Sequence, residues 1–200
     1  MGETYTVDEL IEELEYGEDE KRAETISALG EIGQPAIPAL IEALGNVVWD
    51  VCDGAAEALA RIGEPAIPAL IETLDDEHRH IALNASDALA RIGKPAVPAL
   101  IEAARSTFEQ IREHAIRALG TIGEPAKAAV PELSQALHDG DPDTRANAAV
   151  ALAYIGEPAN DAVPALIGGL HDESDRVREY SAFALQKIGT PEAEKALNEL

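Results

Sequence analysis

Cysteine, lysine and long apolar runs are scarce in this chain, and each shortage excludes a class of structure or site. Cys52 is the only cysteine among 200 residues, so an internal disulfide and a cysteine-built metal site are both excluded. No apolar run approaches the roughly 18 residues of a membrane span, because proline and charged residues interrupt every candidate. The chain also begins without the basic and apolar stretches of a secretory signal. We therefore predict a cytoplasmic protein that enters no membrane, with Cys52 as a reduced structural thiol.

Basic residues are outnumbered by acidic ones, since 15 Lys and Arg face 38 Asp and Glu for a formal charge of −23. Phosphate binding needs a basic patch or stripe, which argues against nucleic acid as a partner. Only five residues are lysine and two are phenylalanine, a composition that resembles proteins of halophilic, salt-accumulating archaea. The acidity could instead serve a basic partner, and the sequence leaves both explanations open.

The dipeptide Ile-Gly recurs six times along the chain, at intervals of 30 and then 33 residues. Its isoleucines are Ile32, Ile62, Ile92, Ile122, Ile155 and Ile188. Proline follows each of these glycines by two positions, and eleven of the twelve prolines occupy fixed columns of the repeat. A period of this length is typical of a solenoid, in which each unit buries its apolar face against its neighbours in sequence.

Each repeat reads as two helices joined by a turn. The first follows the pattern Pro-Ala-Leu-Ile-Glu-Ala-Leu, and the second ends in Ala-Leu-Ala-Arg-Ile-Gly, with apolar residues at helical spacing. We expect the closing glycine, such as Gly63, to adopt a left-handed conformation. Thr6 with Glu9 and Ser106 with Glu109 fit the pattern of a capping box, in which side chains satisfy the free N–H groups at a helix start.

The pattern predicts an all-α fold, a right-handed α-α superhelix of about six helix pairs. The predicted first helices span residues 7–16, 36–44, 66–74, 96–105, 126–137 and 159–170, and their partners span 19–32, 48–62, 78–92, 108–122, 142–155 and 175–188. A short capping helix follows from Pro191 to about Leu200. We expect one domain over residues 1–200, with repeats at about 1–33, 34–63, 64–93, 94–123, 124–156 and 157–189 and a cap at 190–200. Repeats five and six carry three extra residues each, which should lengthen their first helices.

This pattern resembles the HEAT-like repeats named after phycobilisome lyases, in which Val-Arg precedes Ala-Ala-x-Ala-Leu-Gly-x-Ile-Gly and a proline-bearing helix. The resemblance runs from about Lys21 to Pro191. It implies an armadillo-like solenoid whose second helices line the concave side and whose arginine column braces adjacent repeats. In this chain the column consists of Arg22, Arg112, Arg145 and Arg178. Repeats two and three depart from it, with Cys52 and Ala82.

Known catalytic motifs are missing from the sequence. No histidine is followed by glutamate, as a di-iron site of the deoxyhypusine hydroxylase type requires, and no P-loop or Gly-x-Ser-x-Gly is present. Asp139, Asp141 and Asp143 resemble a calcium loop, but Thr144 and Val150 replace its obligatory Gly and Glu, which favours a helix N-cap at Asp141. We therefore predict no catalytic residue, no cofactor and no metal. A phycobilin-lyase-like enzyme or subunit and a structural oligomer remain alternatives.

Apolar and aromatic residues on the second helices of repeats five and six are the candidates for binding a partner. They are Val150, Tyr154, Tyr180 and Phe183. The column of Val150 and Phe183 holds polar or charged residues in the other four repeats, so it should face solvent. Trp49 could be a further anchor or could pack under the preceding loop. We predict a non-catalytic scaffold or adaptor that binds another protein, as a monomer or weak homodimer.

Overall fold

The computed structural model describes residues 5–199, apart from the side chain of Asp19, and every regular element in that range is helical. The chain divides into two compact units, of which unit 1 ends at Ala96 and unit 2 begins at Val97. Residues 1–4 and Leu200, which the expected single domain included, lie outside the described residues. The single domain stays a prediction.

Unit 1 contains three helix pairs. They are α1 (Val7–Tyr16) with α2 (Asp19–Ile32), α3 (Ile37–Ala43) with α4 (Trp49–Ile62), and α5 (Ile67–Thr73) with α6 (Arg79–Ile92). The second helix of each pair packs against the second helix of the next, α2 on α4 and α4 on α6. The first helices α1, α3 and α5 form the other layer of the unit.

Unit 2 repeats this plan and adds one helix. Its pairs are α7 (Val97–Ala103) with α8 (Glu109–Ile122), α9 (Val130–Ala136) with α10 (Pro142–Ile155), and α11 (Val163–Gly169) with α12 (Asp175–Ile188). The expected capping helix is α13 (Pro191–Asn198), which packs on α11 and α12. Each unit is thus a stack of helix pairs, which confirms the predicted all-α solenoid class. No helix within residues 5–199 is long and apolar enough to cross a membrane.

The second helices begin and end within one residue of the predicted bounds, and so does the first helix of repeat one, whereas the first helices of repeats two to six are shorter than predicted. In repeats two to four the segment before each first helix forms a separate 3-10 helix, at Gln34–Ala36, Glu64–Ala66 and Lys94–Ala96. The three extra residues of repeats five and six extend this element to Glu124–Ala129 and Glu157–Ala162. The expectation of longer first helices is therefore wrong. The second proline of each repeat must stay in the first turn, because proline disrupts a helix interior.

Glycine closes the second helix of every repeat with a positive φ. Among the described residues, positive φ occurs at Gly33, Gly63, Gly93, Gly123, Gly156 and Gly189. The expected left-handed conformation is found only at Gly189, whereas Gly63 has φ 76° and ψ −135°, a region that needs glycine. This conformation lets the carbonyl of Gly63 accept a hydrogen bond from the N–H of Ala66 at 2.9 Å, which starts the next 3-10 helix.

Short polar side chains organise the turns between paired helices. The capping box of Thr6 and Glu9 is confirmed, since each side chain accepts a hydrogen bond from the other residue's N–H. The box predicted at Ser106 is wrong, because Phe108 is the N-cap and Ser106 Oγ accepts from its N–H at 3.1 Å. The same contact recurs in four other turns, where a side-chain oxygen accepts a hydrogen bond from the N–H two residues later. The accepting residues are Asn46, Asp76, Asp139 and Asp172.

The core of each unit lies between its two helix layers. Repeat two shows the pattern, with Leu40 and Leu44 from the first-helix segment and Leu59 from the second helix all fully buried. Burying one such side chain is worth roughly 1.5–3 kcal/mol relative to leaving it in water. The leucine columns therefore hold the pairs together, and the outward positions of the second helices are left for other roles.

Candidate protein-binding face

The second helices α8, α10 and α12 form one continuous layer in unit 2. The helices α8 and α10 pack closely at Gly120, where a Cβ atom would lie 2.9 Å from the Cα of Ala151. A side chain there would push the two helices apart, because carbon atoms in contact normally stay about 3.5–4.0 Å apart. The glycine thus allows α8 and α10 to pack closely at this point, and larger residues border a cleft beside it.

This cleft between α8 and α10 has a volume of about 120 Å³. Its walls include Ile116 and Thr121 from α8, and Asn147, Val150 and Tyr154 from α10. Val150 is half-buried, whereas 62% of Tyr154 is exposed. The structure therefore brings two of the predicted residues into one cleft with a partly apolar lining.

The other two predicted residues lie on α12, beside α10, and do not line this cleft. Tyr180 and Phe183 are both half-buried. Each ring lies next to a cation of its own helix, with Arg176 at 5.9 Å from the Tyr180 centroid and Lys187 Nζ at 5.4 Å from that of Phe183. Such contacts stabilise a ring at a partly exposed position. A single patch of all four residues stays a prediction.

Trp49 lies on unit 1, at the start of α4. It borders a cleft of about 190 Å³ together with Ile26 of α2. Its side chain is 70% exposed, so it does not pack under the preceding loop. The acidic residues in this cleft already have basic partners in unit 1: Asp50 pairs with Arg22, Asp53 with Arg91 and Glu57 with Arg61. Its role as an anchor stays a prediction.

The arginine column of unit 2 joins one repeat to the next. Arg145 on α10 donates to both carboxylate oxygens of Asp172, at 2.8 and 2.9 Å, and to the carbonyl of Asp139 at 2.9 Å. Arg112 on α8 repeats the arrangement with Asp139 at 3.1 Å and the carbonyl of Ser106 at 3.0 Å. Each guanidinium thus connects its own turn to the turn of the following repeat.

Burial makes the Arg145 contact distinctive among these pairs. Only 8% of its side chain is exposed, and the bidentate geometry matches a carboxylate. The Arg145 hydrogen bonds lower the pKa of Asp172, and those same bonds raise the pKa of Arg145. The contribution of the column to stability stays a prediction.

The two outer members of the column make different contacts. Arg22 donates to the carbonyls of Leu14 and Gly17 and pairs with Asp50 on α4. Arg178 stays within its own repeat, where it contacts the carbonyl of Asp172 and the carboxylate of Asp175.

Repeat two has Cys52 at the arginine position. The thiol is buried, with 8% of the residue exposed, and lies 3.1 Å from the carbonyl of Trp49. Burial raises the pKa of Cys52. Both observations fit an unreactive thiol.

Sequence reasoning missed the residues that shape the α8–α10 cleft. Gly120 was the available signal, because the same column holds alanine in repeats two, three and five. A lone glycine inside a helical pattern indicates a close backbone approach, and here it marks the edge of the cleft.

The carboxylates of the segment that resembles a calcium loop bond to other groups of the chain itself. Asp139 accepts from Arg112 and from the N–H of Asp141, whose own side chain caps α10 by accepting from the N–H of Thr144 at 2.6 Å. Burial alone would raise the pKa of Asp141, but the hydrogen bonds that its carboxylate accepts and the nearby positive charge of Arg145 together lower it. The N-cap interpretation is therefore confirmed. Within residues 5–199, no group of three or more His, Cys, Asp or Glu side chains is placed to hold a metal ion.

Consecutive helix pairs, stacked leucine columns and a recurrent glycine turn define an α-solenoid repeat protein. The family comparison makes this assignment specific, because the HEAT repeat profile matches residues 7–85, 67–130 and 130–200. The chain belongs to the HEAT repeat family. A comparison with curated protein sequences finds no match.

Solved structures with similar folds include natural and engineered repeat proteins. The complex of CpcE and CpcF of phycocyanin lyase from Nostoc sp. PCC7120 is 26% identical, with a TM-score of 0.58, over 75% of this chain and 98% of that one. An engineered protein is 25% identical, with a TM-score of 0.53, over 96% of this chain and 61% of that one. A designed armadillo repeat protein in complex with the peptide (KR)4 has a TM-score of 0.52 at 18% identity, over 92% of this chain and all of that one. This last likeness concerns the fold alone.

Proposed function

We propose that this chain is a non-catalytic scaffold that binds another protein, and that the second-helix face of unit 2 is the docking surface. The observation that carries the proposal is the exposure of Tyr154 beside Val150 in a cleft, at columns that are polar in most other repeats. Tyrosine is enriched among the residues that dominate binding energy at interfaces. Tyr180 and Phe183 extend the aromatic surface along α12.

Charge supports this choice of face. On this layer Asp143 pairs with Arg176, and Lys187 lies over Phe183, so cations and anions are interspersed. A surface that combines charges of both signs with aromatic residues is the ordinary composition of a protein interface. In a salt-rich medium the Debye length falls to about 3 Å at 1 M, which leaves apolar anchors as the main source of affinity.

A peptide-display selection on the immobilised chain tests the proposal. Selected peptides are assayed against the Tyr180→Ala/Phe183→Ala double variant and against Tyr154→Ser. We expect each variant to weaken binding at least about tenfold, as loss of a hot-spot residue does, with the thermal midpoint nearly unchanged.

The matched control is Phe108→Ser, which removes an equally exposed ring from the N-terminus of α8. Its binding should stay within about twofold of the unsubstituted chain, as for a residue outside the hot spot. Equal losses in all three variants, or none, would contradict the proposal, and unfolding of the double variant would place its two residues in the core.

Phycobilin-lyase activity, as enzyme or subunit, is the second candidate. The likeness to the CpcE and CpcF complex at 26% identity supports it. Incubation with a phycobilin and an acceptor protein would then give a coloured, covalently loaded acceptor. An acceptor that stays colourless on a denaturing gel would exclude the activity for this chain alone.

A structural oligomer predicts a dimer in sedimentation experiments at every salt concentration.

A further inference from the structure

The second helices of unit 2 end in stretches that contain no acidic residue. The last nine residues of α8, α10 and α12, which we call the acid-free patch, include no Asp and no Glu. The corresponding stretches of α2, α4 and α6 in unit 1 include four, which are Glu24, Glu31, Glu57 and Asp87. Each set also has two basic residues, so the formal charge is +2 in unit 2 and −2 in unit 1. The patch is therefore positive within a chain whose total charge is −23.

The two basic residues of the unit 1 stretches are already paired within the chain. Arg61 contacts Glu57 at 3.2 Å, one turn earlier on α4. Arg91 on α6 contacts Asp53, which lies on α4 of the preceding repeat. A carboxylate from another protein would have to displace one of these acids before it could bind either arginine.

Lys187 occupies the same repeat position on α12 but has no acid beside it. The residue four positions before it is Phe183 rather than a glutamate, and its ring lies under the lysine ammonium. The position that holds Asp53 in unit 1 holds the fully buried Ala146 in unit 2. The Lys187 side chain is exposed and forms no ion pair with any residue in the range 5–199. Its charge is therefore available to a partner.

Tyr154 occupies the same repeat position as Lys187, one helix away on α10. The helices α10 and α12 pack on each other, and packed helices lie about 8–10 Å apart. About three residues of extended chain span that distance. A short segment can therefore place one side chain in the cleft beside Tyr154 and another at Lys187.

We infer, on the basis of the proposed function, that the docking surface of unit 2 binds an acidic and apolar segment of another protein. An Asp or Glu side chain of that segment pairs with Lys187, and an aliphatic or aromatic side chain enters the cleft beside Tyr154. Complementary charge at an interface selects among partners, and the exclusion of acids from the patch leaves the lysine without a competitor. This partner is opposite in charge to the one that the net charge of the chain alone would attract.

Two libraries of short random peptides, displayed against the full chain at about 0.15 M KCl, where the Debye length is about 8 Å, test this choice of partner. One library omits Lys and Arg, and the other omits Asp and Glu. We expect Lys187→Gln and Tyr154→Ser each to weaken peptides from the acidic library about tenfold, as loss of a close charge pair or of a hot-spot residue does. Peptides from the basic library, held by net charge alone, should change less than about twofold in both variants.

The matched control is Lys127→Gln, which removes another exposed lysine of unit 2 that has no ion pair in the described range. It should weaken the acidic peptides less than about twofold, as a change of net charge alone would at this ionic strength. Neither lysine variant should lower the melting midpoint, because both side chains are exposed.

A double-mutant cycle then assigns the contact. The tightest acidic peptide is remade with each carboxylate replaced in turn by its amide. One replacement should weaken binding to the unsubstituted chain about tenfold and leave binding to Lys187→Gln unchanged, because the pair is already broken there.

Several results would overturn the inference while leaving the docking surface in place. They are a Tyr154→Ser loss confined to the basic library, equal losses in Lys187→Gln and Lys127→Gln, and amide replacements that cost the same in both chains. If no peptide of either library responds to Tyr154→Ser, the proposed function fails and the inference fails with it.

Discussion

Unit 1 and unit 2 share one helix-pair plan but differ in how their repeats are joined. In unit 2, Arg112 and Arg145 connect each turn to the next, whereas repeats two and three of unit 1 have Cys52 and Ala82 at that position. Unit 1 has 21 acidic and six basic residues for a charge of −15, and unit 2 has 17 and nine for −8. The same helix-pair plan therefore tolerates two arrangements. In unit 2 arginines link consecutive turns, and in repeats two and three of unit 1 a small side chain takes the place of that arginine.

The largest effect should come from Arg145→Met, which removes the buried cation of unit 2. Asp172 and the carbonyl of Asp139 would lose their donor while remaining largely buried. Breaking a buried pair in this way costs about 3 kcal/mol. Urea unfolding followed by circular dichroism gives the free energy of unfolding.

The matched control is Arg176→Met, which breaks an exposed pair with Asp143 on the neighbouring helix. Exposed pairs contribute at most about 1 kcal/mol. Similar losses in the two variants would mean that the arginine column does not brace unit 2.

Packing at α11 should give the next largest effect. A Cβ at Gly169 would clash with Ser181 Oγ, so Gly169→Ala should destabilise unit 2 by about 2 kcal/mol through overpacking. Gly168→Ala is the control, because nothing lies within 4 Å of its Cβ position. It should stabilise the helix by up to about 1 kcal/mol.

Adding Ser181→Ala should recover part of the Gly169→Ala loss, since it removes the hydroxyl that the new methyl would meet. Unit 1 has Ala55 and Ala85 at the position of Ser181, with Ala43 and Thr73 at that of Gly169. A full loss in the double variant would place the cause elsewhere than in this contact.

Acid should weaken unit 2 through Asp172. Its pKa is lowered in the folded state by Arg145, so the stabilisation is present above the ordinary value of about 4 and is lost as the pH falls through the lower folded value. The free energy of unfolding should therefore decline below about pH 4. In Arg145→Met this decline should be shallower, and an unchanged slope would show that other carboxylates control it.

Salt should distinguish the units by their charge. Screening reduces repulsion between like charges, because the Debye length falls from about 10 Å at 0.1 M to about 3 Å at 1 M. We expect a higher melting midpoint in concentrated KCl, with amide exchange slowed more in α2 and α4 than in α10 and α12. An equal or lower midpoint would contradict the halophilic interpretation.

The smallest perturbation is thiol labelling of Cys52, which changes no residue. Labelling should be far slower than for a free thiol, because burial both raises the pKa and blocks access. Its rate then reports local opening of α4, which has Cys52 at the position of the bracing arginine. Labelling at the rate of an unfolded peptide would show that this position is open in the native state.

The sequence was sufficient to predict the helix pairs because proline, glycine and leucine recur in fixed columns. Proline stands in the first turn of a helix, glycine closes a helix, and leucine lies on the buried face. It was insufficient at the first helices, where the 3-10 segment Glu124–Ala129 has the same composition as a helical turn. Tyr154 could be predicted from a column that is polar or charged in most other repeats. The carboxylate and carbonyl that Arg145 contacts could not, because they depend on how consecutive turns meet after folding.

The glycine joints have a consequence for the history of the gene. Every repeat leaves its second helix through a glycine with φ between 67° and 76°, and in the first five repeats the next 3-10 helix begins immediately afterwards. Recombination between two such codons would delete or duplicate a whole repeat while reproducing the same backbone geometry at the junction. Lengths of 30 and 33 residues are equally acceptable, because the difference is absorbed before the next α-helix begins. Chains of this type can therefore change their number of repeats in a single genetic event.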